Sequence, residues 1–239
     1  MSGSEPLIAV VEDETPIRRF LRASLTVEGF QVIEATTAVE GLRVITQQLP
    51  ALVLLDLGLP DSDGVEVIRQ VREWSAMPIV VISARGEEAS KIAALDAGAD
   101  DYLTKPFGVG ELLARIRVAL RHAARTAGDG AVDAPLVLGD LRIDLTGRTV
   151  RKAGVEVKLT KIEFDLLAVL ARNLGRVVTH RQLLKEAWGP HAVQEPHYVR
   201  VFVASLRKKL EDNSSHPQWL VTEQGVGYRL REAPASESS

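Results

Sequence analysis

Short apolar runs alternate with amphipathic stretches along the first half of the chain. The runs, at residues 7–11, 30–33, 52–55, 79–82 and 102–103, are typical of buried strands. Between them, apolar residues recur at helical spacing, as in Ile17, Phe20, Leu21 and Leu25. Strands that alternate with helices predict an α/β domain with a parallel sheet covered on both faces, although this pattern does not give the order of the strands.

The second half of the chain follows a different pattern. Residues 136–145, 148–152 and 155–158 are predicted to form short antiparallel strands that turn at Thr146-Gly147 and Ala153-Gly154. Three helices are expected at 161–173, 179–188 and 195–212, and a final hairpin around Gly225 and Gly227. Thr160, with Glu163 three residues later, predicts a capping box for the first of these helices. This order is typical of an α+β winged helix-turn-helix.

The stretch between the two patterns, residues 122–133, is rich in Ala and Gly and predicts a flexible linker. The linker would separate a domain of residues 1–121 from a domain of residues 134–232, and residues 233–239 are expected to form a disordered tail. Residues 1–121 carry 12 basic and 18 acidic side chains, whereas residues 134–239 carry 16 basic and 12 acidic ones. This asymmetry indicates two domains with different partners.

Composition excludes several classes of protein. The 239-residue chain has no cysteine, which excludes disulfides, thiolate metal sites and cysteine catalysis. Its apolar runs fall well short of the roughly 20 residues that span a bilayer. The first residues also lack the basic and apolar regions of a secretory signal, so we expect a cytoplasmic protein.

Polar side chains follow four of the five predicted strands of the first domain. Glu12 and Asp13 follow the first strand, Asp56 the third, Ser83 the fourth and Lys105 the fifth. These strand ends meet at one crevice in an open parallel sheet, and such folds bind ligands there. Each residue alone is more often a helix cap, a loop acid or part of a surface ion pair, but the five together predict a site.

The residue types at this edge suit phosphoryl transfer. Carboxylates confined to one crevice repel one another, so they need protons or a divalent cation. Oxygen ligands without histidine or cysteine favour Mg²⁺, with Mn²⁺ as the alternative. A metal beside one free carboxylate can attract a phosphoryl group, to which Lys105 would offer a positive charge and Ser83 a hydrogen bond. The set therefore predicts an aspartate that accepts phosphate.

The strings VVEDE, VLLDLGLPDSDG, VISAR and GADDYLTKPF resemble the receiver domains of bacterial two-component response regulators. The resemblance covers residues 7 to about 122 and implies a flavodoxin-like receiver with the strand order 2-1-3-4-5. It implies that Asp56 is the phosphoacceptor and that Glu12 and Asp13 form the acidic pair, with Asp13 as a direct ligand of Mg²⁺. Gly58 would offer its backbone carbonyl to the same ion.

The same resemblance assigns a switch role to three further residues. Ser83 is the switch hydroxyl, Lys105 binds the phosphate and precedes a cis peptide bond to Pro106, and Tyr102 fills the space that Ser83 leaves. Without the resemblance, Tyr102 is slightly better explained as a half-buried strand aromatic with its hydroxyl in water. Many receivers carry methionine where this chain has Gly58, so the phosphoryl group is expected to be less covered here.

Charged residues between Lys91 and Arg117 match positions that pair across a symmetric receiver dimer in the winged-helix branch of the family. Without the resemblance they form an ordinary solvated surface, on which ion pairs contribute about 0–1 kcal/mol each. We expect them to orient a homodimer that forms on phosphorylation, with apolar neighbours providing the affinity. They are Lys91, Asp100, Asp101, Glu111, Arg115 and Arg117.

The last predicted helix combines an apolar stripe with a basic surface. The stripe of Val199, Val203, Leu206 and Leu210 is expected to pack inward. A basic helix fits the roughly 12 Å major groove of DNA, although a charged face is more often only solvated. Phe202 suits either the core or a thymine contact. The remaining surface carries His197, Tyr198, Arg200, Ser205, Arg207, Lys208 and Lys209.

Residues 134–231 resemble the winged-helix effector domain of the OmpR/PhoB family. The resemblance implies that the third helix reads the major groove and that the hairpin, or wing, enters the minor groove. Trp188, Thr222 and Tyr228 would approach the DNA backbone. Gln224 stands at the wing tip, where many relatives have arginine, so minor-groove electrostatics are expected to be weaker here.

The two resemblances together imply a phosphorylation-activated transcriptional regulator rather than an enzyme. Its expected partners are a sensor histidine kinase, promoter DNA, a second copy of the chain and RNA polymerase, and its own chemistry is limited to accepting and slowly losing phosphate on Asp56. A Mg²⁺-dependent aspartyl-phosphate phosphatase or phosphotransferase is an alternative, although such enzymes place a second aspartate where this chain has Gly58. A constitutive DNA binder with a vestigial receiver is another.

Overall fold

The computed structural model describes residues 5–84, 88–127, 135–189 and 196–232, apart from the side chains of residues 125–127, 196 and 197. The chain divides into two compact units, Met1–Ala124 and Arg125–Ser239. Within the described residues, none of the helices is both long and apolar enough to cross a membrane.

The first unit is a five-stranded parallel sheet with the strand order β2-β1-β3-β4-β5, which confirms the expected receiver fold. Helices cover both faces of the sheet, so its three inner strands are almost entirely apolar and buried. The elements are β1 Leu7–Val11, α1 Thr15–Val27, β2 Gln31–Ala35, α2 Ala38–Gln48, β3 Leu52–Leu55, α3 Gly64–Arg72, β4 Ile79–Ser83, α4 Glu88–Asp96, β5 Asp101–Thr104 and α5 Val109–Ala127.

Two glycines allow α2 and α3 to approach the strand ends closely. A Cβ atom on Gly41 would lie 2.8 Å from the side chain of Val11, the last residue of β1. A Cβ atom on Gly64 would lie 2.6 Å from the backbone oxygen of Asp56 and 2.7 Å from the Cα of Leu57. Both helices therefore begin directly against the edge of the sheet at which the polar residues were expected to meet.

The last helix of the first unit is longer than the sequence pattern indicated. Helix α5 continues through Ala127, so residues 122–127, expected to belong to the linker, are helical. The HAARTA segment continues the helix because Ala and Arg have high helix propensities. The remaining residues of the expected linker, 128–133, lie outside the described part of the chain.

The second unit combines two small antiparallel sheets with three helices and confirms the winged-helix class. One sheet has the order β6-β7-β8-β9 and the other the order β10-β12-β11. The elements are β6 Leu136–Leu138, β7 Leu141–Asp144, β8 Thr149–Lys152, β9 Val155–Glu156, α6 Lys161–Arg172, β10 Val177–Thr179, α7 His180–Trp188, α8 Pro196–Leu210, β11 Leu220–Glu223 and β12 Gly227–Leu230.

Two strands of the second unit differ from the sequence-based expectation. The stretch 136–145 is two strands rather than one, because the chain reverses at Gly139, whose φ of 59° suits a glycine. Strand β10 was not anticipated. It has only three residues and pairs with β12, and so short a run carries no detectable alternation of apolar and polar positions.

The three helices of the second unit enclose its core. Helix α6 carries the expected capping box of Thr160 and Glu163. The stripe of α8 predicted to face inward is buried, with Val199 and Leu206 fully inaccessible to solvent. It packs in one apolar cluster with Leu167 of α6 and Leu183 of α7.

Replacing Gly64 by alanine tests the close approach of α3. The added methyl group would meet backbone atoms of Asp56 and Leu57, which cannot move aside cheaply. We expect Gly64→Ala to lower the free energy of unfolding by about 1–3 kcal/mol, measured by urea unfolding. Gly110→Ala is the control, because nothing lies within 4 Å of a Cβ atom at Gly110 in α5. An equal loss in both variants would contradict this reading of the packing.

Candidate functional site

The polar edge of the parallel sheet brings three carboxylates together. Glu12 and Asp56 directly follow β1 and β3, which are neighbours in the sheet. One carboxylate oxygen from each of Glu12, Asp13 and Asp56 lies within 4.8 Å of the others. Glu12 is 1% exposed and Asp56 6% exposed, whereas Asp13 is open to solvent. The sequence prediction of one acidic cluster at this edge agrees with this geometry.

Lys105 reaches this cluster from the end of β5. Its ammonium group donates hydrogen bonds to Asp56 Oδ2 at 2.8 Å and to Glu12 Oε1 at 3.0 Å. A longer bond of 3.3 Å joins it to Oε1 of Glu14, a residue that the sequence reading did not select. The Lys105–Pro106 peptide bond is cis. The lysine thus offsets part of the negative charge that the carboxylates concentrate here.

The pKa values of Glu12 and Lys105 follow from their burial and from the hydrogen bond between them. Burial raises the pKa of Glu12 from its ordinary 4.5 to about 7; the hydrogen bond from Lys105 opposes this rise, and the charge of Asp56 adds to it. Burial alone would lower the pKa of Lys105, but its hydrogen bonds to Asp56 and Glu12 outweigh burial and raise it to about 12. Lys105 therefore stays charged at neutral pH.

The residues present at this edge fit a bound Mg²⁺ ion. The donors are all oxygens, which a hard divalent cation prefers. Among the described residues, Glu12 Oε2 is buried and accepts no hydrogen bond, although the Lys105 ammonium lies 2.9 Å away. A cation would supply charge compensation for such an oxygen. Asp13, Asp56 and the backbone carbonyl of Gly58 would hold the ion, with Glu12 beside them.

Gly58 places no side chain beside the Asp56 carboxylate, although that carboxylate is itself buried. Its N–H donates to Asp56 Oδ1 at 3.1 Å, and a Cβ atom at this position would lie 3.8 Å from the same oxygen. A side chain would therefore fit here and would stand directly over the carboxylate. The expectation that a phosphoryl group on Asp56 would be less covered here stays a prediction.

The two expected switch residues lie inside the receiver unit. Ser83 ends β4 and is 1% exposed, and Tyr102 in the adjacent β5 is 7% exposed. The interpretation of Tyr102 as a half-buried aromatic is therefore wrong, because both faces of the sheet are covered. The ammonium group of Lys91 lies 5.7 Å from the centroid of the Tyr102 ring, a cation–π distance.

Arg18 is a residue of the site that the sequence reading missed. Its guanidinium group donates to the backbone carbonyl oxygens of Glu12 at 2.8 Å and Asp13 at 3.0 Å. These bonds fix the loop that presents the acidic pair. Arg19 follows directly and is exposed, and nothing in the sequence pattern distinguishes the two arginines.

The charges expected at a dimer interface are engaged within one chain. Arg115 donates twice to Asp101, at 2.9 and 2.8 Å, and also to Glu111 at 2.7 Å. Arg117 lies 3.9 Å from Glu28, in an exposed pair. Glu111 and Arg117 are exposed, whereas Asp101 is 3% exposed.

Asp100 differs from the other charges of this set. It is 4% exposed, and its Oδ2 accepts hydrogen bonds from Arg72 at 2.7 Å and from the Ile79 N–H at 2.9 Å. Arg72 in turn donates to the carbonyl oxygens of Gly98 and Met77. The structure therefore gives Asp100 an internal structural role in place of the intersubunit role expected from the sequence.

The exposed face of α8 retains part of the predicted DNA-binding set. Tyr198 is 48% exposed, and Arg200 and Lys208 are also open to solvent. The same face carries Val201, which is 61% exposed and which the sequence reading overlooked. An apolar residue among basic ones on this face suits contact with a thymine methyl group. The side chain of His197 lies outside the described residues.

Ser205 and Lys209 are partly buried and turn towards Glu163, which differs from the prediction that they lie on the DNA-facing surface. The Ser205 hydroxyl donates to Glu163 Oε1 and the Lys209 ammonium to Glu163 Oε2, both at 2.7 Å. Burial opposes ionisation of Glu163, but the bonds from Lys209, Ser205 and the Thr160 backbone lower its pKa from 4.5 to about 2. This buried carboxylate holds α8 against the start of α6.

The side chains expected at the DNA backbone and at the wing tip divide into exposed and internal ones. Thr222 and Gln224 are exposed, and Thr222 Oγ1 accepts a bond of 2.8 Å from Arg207. Arg207 also donates to the carbonyl of Leu220 at 2.9 Å. Tyr228 is only 5% exposed, and burial raises its pKa. Arg207 thus ties α8 to the wing, and Tyr228 serves the core.

Trp188 and Phe202 form a pair at the border of the core. Both side chains are partly buried and pack against the apolar cluster. Their ring centroids are 5.3 Å apart with an interplanar angle of 66°, an edge-to-face arrangement. Of the two roles left open for Phe202, the structure favours the core.

Comparisons with known proteins agree with both units. Residues 8–117 match the response regulator receiver domain, and residues 154–230 match the C-terminal domain of transcriptional regulatory proteins. The KDP operon transcriptional regulatory protein KdpE of Escherichia coli K12 is 54% identical over 225 residues, covering 93% of this chain and 98% of that protein. KdpE of Mycobacterium tuberculosis H37Rv is 49% identical over 225 residues, which cover 94% of this chain and 98% of that protein.

A solved structure also resembles the first unit. The CheY-like response regulator receiver domain protein of Methanospirillum hungatei JF-1 has a TM-score of 0.50 at 30% identity. The match covers 52% of this chain and 100% of that one.

Replacing Glu163 by glutamine tests the buried contact beneath α8. The free energy of unfolding of the second unit should fall by about 1–3 kcal/mol at pH 7. Because the folded-state pKa is depressed, the stabilisation is present above pH 4.5 and is lost as the pH falls towards 2. The difference between Glu163→Gln and the parent should therefore shrink in acid.

The measurement is urea unfolding followed by tryptophan fluorescence in a Trp74→Phe background, which leaves Trp188 and Trp219 of the second unit. Asp165→Asn on the same helix is the control. Asp165 pairs at 2.8 Å with an exposed Arg148, so its loss should cost less than about 1 kcal/mol. A difference for Glu163→Gln that stays constant with pH would contradict the role of its charge.

Proposed function

Because the chain belongs to the two-component response regulators with a receiver and a C-terminal winged-helix domain, the family of KdpE, we propose that phosphorylation of Asp56 controls its binding to promoter DNA. It is a phosphorylation-dependent DNA-binding transcriptional regulator. Identity with two KdpE proteins over nearly the whole chain supports the kdp potassium-uptake operon as its target. A KdpD-like sensor histidine kinase is then the phosphoryl donor.

The observation that carries the proposal is the triangle of Asp56, Glu12 and Lys105. A buried carboxylate is normally a poor acceptor for an anionic phosphoryl group, because both carry negative charge. Here the Lys105 ammonium already lies 2.8 Å from Asp56 Oδ2 and can move its hydrogen bond to a phosphoryl oxygen. The other oxygen, Oδ1, accepts from the Gly58 N–H, which orients the carboxylate.

Phosphoryl transfer at this edge requires one bond exchange. An Asp56 oxygen forms the new P–O bond while the P–N bond to the kinase histidine breaks, and the histidine nitrogen keeps the electron pair. Lys105 neutralises one phosphoryl oxygen, and Ser83 supplies a hydroxyl donor from the end of β4. When bound, Mg²⁺ supplies further positive charge for the phosphoryl oxygens. Slow loss of the phosphate to water returns Asp56 to its free form, and the open position at Gly58 favours that loss.

A hollow beside Lys105 supports a docking place for the kinase. It has a volume of about 510 Å³ and is lined by apolar side chains of α1 and of the segment after β5. Phe20 stands at this hollow with 41% of its surface exposed, and Phe107 lies 6.2 Å away between ring centroids. An apolar surface next to the acceptor suits a kinase helix that presents a phosphohistidine.

We propose that phosphorylation changes the receiver surface and brings two copies together. An acyl phosphate adds about −1.5 to −2 charges at Asp56, and Lys105 would have to release Glu12 or Asp56 to bind it. Ser83 and Tyr102 connect this edge to the face with Lys91, Asp101, Glu111, Arg115 and Arg117. Exchanging the pairs on this face for pairs with a second copy would give a homodimer with two adjacent winged helices.

DNA recognition would then use the exposed face of α8. Arg200 and Lys208 suit contacts with phosphates or guanine edges, and Val201 suits a thymine methyl group. Thr222 and Gln224 lie on the wing, where the absence of arginine favours weak minor-groove binding. Two linked DNA-binding domains bind about 10²–10⁴ times more strongly than one, and RNA polymerase would be recruited by the bound dimer.

The two alternatives are less well supported. A phosphatase or phosphotransferase that uses an aspartyl phosphate needs a general acid close to the nucleophile, and the position two residues after Asp56 is Gly58. A vestigial receiver would not need to keep a buried Lys105 in contact with two carboxylates. Both alternatives also leave either the winged helix or the acidic edge without a function.

Phosphorylation-dependent affinity for the kdp promoter tests the proposal. In a gel-shift titration at fixed salt with Mg²⁺ and acetyl phosphate, the parent should bind at least about tenfold more tightly than without the donor. Asp56→Ala should show no such gain, because it lacks the acceptor. The control Glu73→Gln, at an exposed acid after α3, should respond as the parent does.

The alternatives predict different results in the same experiment. Unchanged affinity of the parent with the donor would indicate the vestigial receiver. Rapid turnover of small phosphate esters by the parent would indicate the enzyme. Either result would contradict phosphorylation control of DNA binding.

A further inference from the structure

Asp61 joins the loop after the phosphoacceptor to the start of helix α2. Its Oδ1 accepts a hydrogen bond from the Ala38 N–H at 2.7 Å, and its Oδ2 accepts one from the Val39 N–H at 3.0 Å. Ala38 and Val39 are the first two residues of α2. Helix N-termini leave such N–H groups without partners and favour a negative charge. Accordingly, these two bonds lower the pKa of Asp61.

Helix α2 also has its own local cap. The Thr37 side chain accepts from the Glu40 N–H at 3.1 Å, and the Glu40 carboxylate accepts from the N–H and the hydroxyl of Thr36 at 2.9 and 3.1 Å. The neighbouring residues therefore satisfy part of the first turn. Asp61 completes it from a segment that lies 22 and 23 positions further along the chain.

The start of α2 is a firm attachment point. Gly41 brings the helix against Val11, where a Cβ atom would already lie within 2.8 Å of the valine side chain. Val11 directly precedes the acidic pair, and the Glu12 N–H bonds to the carbonyl of Ala35 at 3.0 Å. A contact to the first turn of α2 is thus a contact to the same sheet edge that carries the acidic cluster.

The loop from Leu57 to Asp63 carries Gly58 between residues that are held in place, since Leu57 and Leu59 are buried. At its far end the Gly64 N–H bonds to the Leu57 carbonyl at 3.1 Å, and Asp63 caps α3 through the Val65 N–H at 3.0 Å. Between these points lies Gly58, which has no side chain to restrain the backbone and is exposed. Asp61 stands between Gly58 and α3 and ties this stretch sideways to α2.

We propose that Asp61 is a positioning residue, which through α2 holds the Gly58 backbone in place beside Asp56. The inference rests on the proposed function, because the Gly58 carbonyl matters there as a ligand of Mg²⁺. Asp61 itself touches neither the ion nor the phosphoryl group. Its loss should therefore weaken metal binding by letting the loop move, whereas loss of a purely local cap should only destabilise α2.

Two variants of the full chain separate these roles. Asp61→Asn removes one of the two acceptor oxygens and places an NH₂ group against a backbone N–H. Thr37→Ala removes the local cap of the same helix and leaves the loop attached. Each should lower the urea concentration at the midpoint of unfolding by a similar amount, because each removes one cap from the first turn of α2. The two variants are therefore matched for the damage they do to this helix.

Mg²⁺ binding without any phosphoryl donor is the main measurement, by calorimetric titration. Asp61→Asn should raise the dissociation constant for Mg²⁺ about tenfold, as residues that orient metal ligands commonly do, and Thr37→Ala should change it less than about twofold. Hydrogen exchange should be faster in residues 57–60 for Asp61→Asn only. If Asp61→Asn does not fold, Asp61→Glu replaces it in this measurement. This variant keeps the charge but has a longer side chain, and it should also weaken Mg²⁺ binding.

The outcomes are distinct. Equal weakening in Asp61→Asn and Thr37→Ala, or no weakening in either, would overturn the positioning role and leave the proposed function intact. A parent chain that binds no Mg²⁺ and accepts no phosphate would overturn the proposed function and the inference together. Selective weakening with selective loop exchange supports the inference.

Discussion

The charge of the acidic sheet edge is balanced by the contact between Lys105 and two carboxylates, those of Glu12 and Asp56. A parallel sheet places Glu12 and Asp56 side by side, and both are buried. Without a cation their repulsion and desolvation would favour protonated, unreactive acids. The ammonium group of Lys105, 2.8–3.0 Å from each, keeps the edge compact and leaves Asp56 ready for an incoming phosphoryl group. The receiver fold thus supplies the chemistry through the geometry of its strand ends.

Some charged residues of the two units form ion pairs within the protein, and others are exposed to solvent. Asp100 with Arg72 and Glu163 with Lys209 are internal pairs that fix elements in place. Arg200 and Lys208 remain exposed. Buried pairs of this kind set the position of the elements that carry the exposed charges, since removing one partner would leave the other unpaired in the interior. The presentation of α8 therefore depends on a carboxylate that no DNA would touch.

The sequence predicts the scaffold better than the details of its surfaces. The hydrophobic pattern places the strands, and a residue directly after a buried parallel strand must lie at one edge of the sheet. The sequence therefore predicts the site residues Glu12, Asp13, Asp56, Ser83 and Lys105. Side-chain direction on α8 is less predictable. Ser205 and Lys209 lie next to the apolar stripe, and only the tertiary position of Glu163 decides that they turn inward. Arg18 and Asp61 carry no periodic signal, because their partners are backbone groups brought near by the fold.

Direct detection of the acyl phosphate tests the central claim that Asp56 accepts a phosphoryl group. The chain would be incubated with Mg²⁺ and acetyl phosphate, and intact-mass spectrometry would be followed by borohydride reduction and peptide mapping. We expect one phosphoryl group per chain, located on Asp56, and its loss when Lys105 is replaced by alanine or Asp56 by asparagine. An unmodified chain, or a phosphoryl group that maps to another residue, would contradict it.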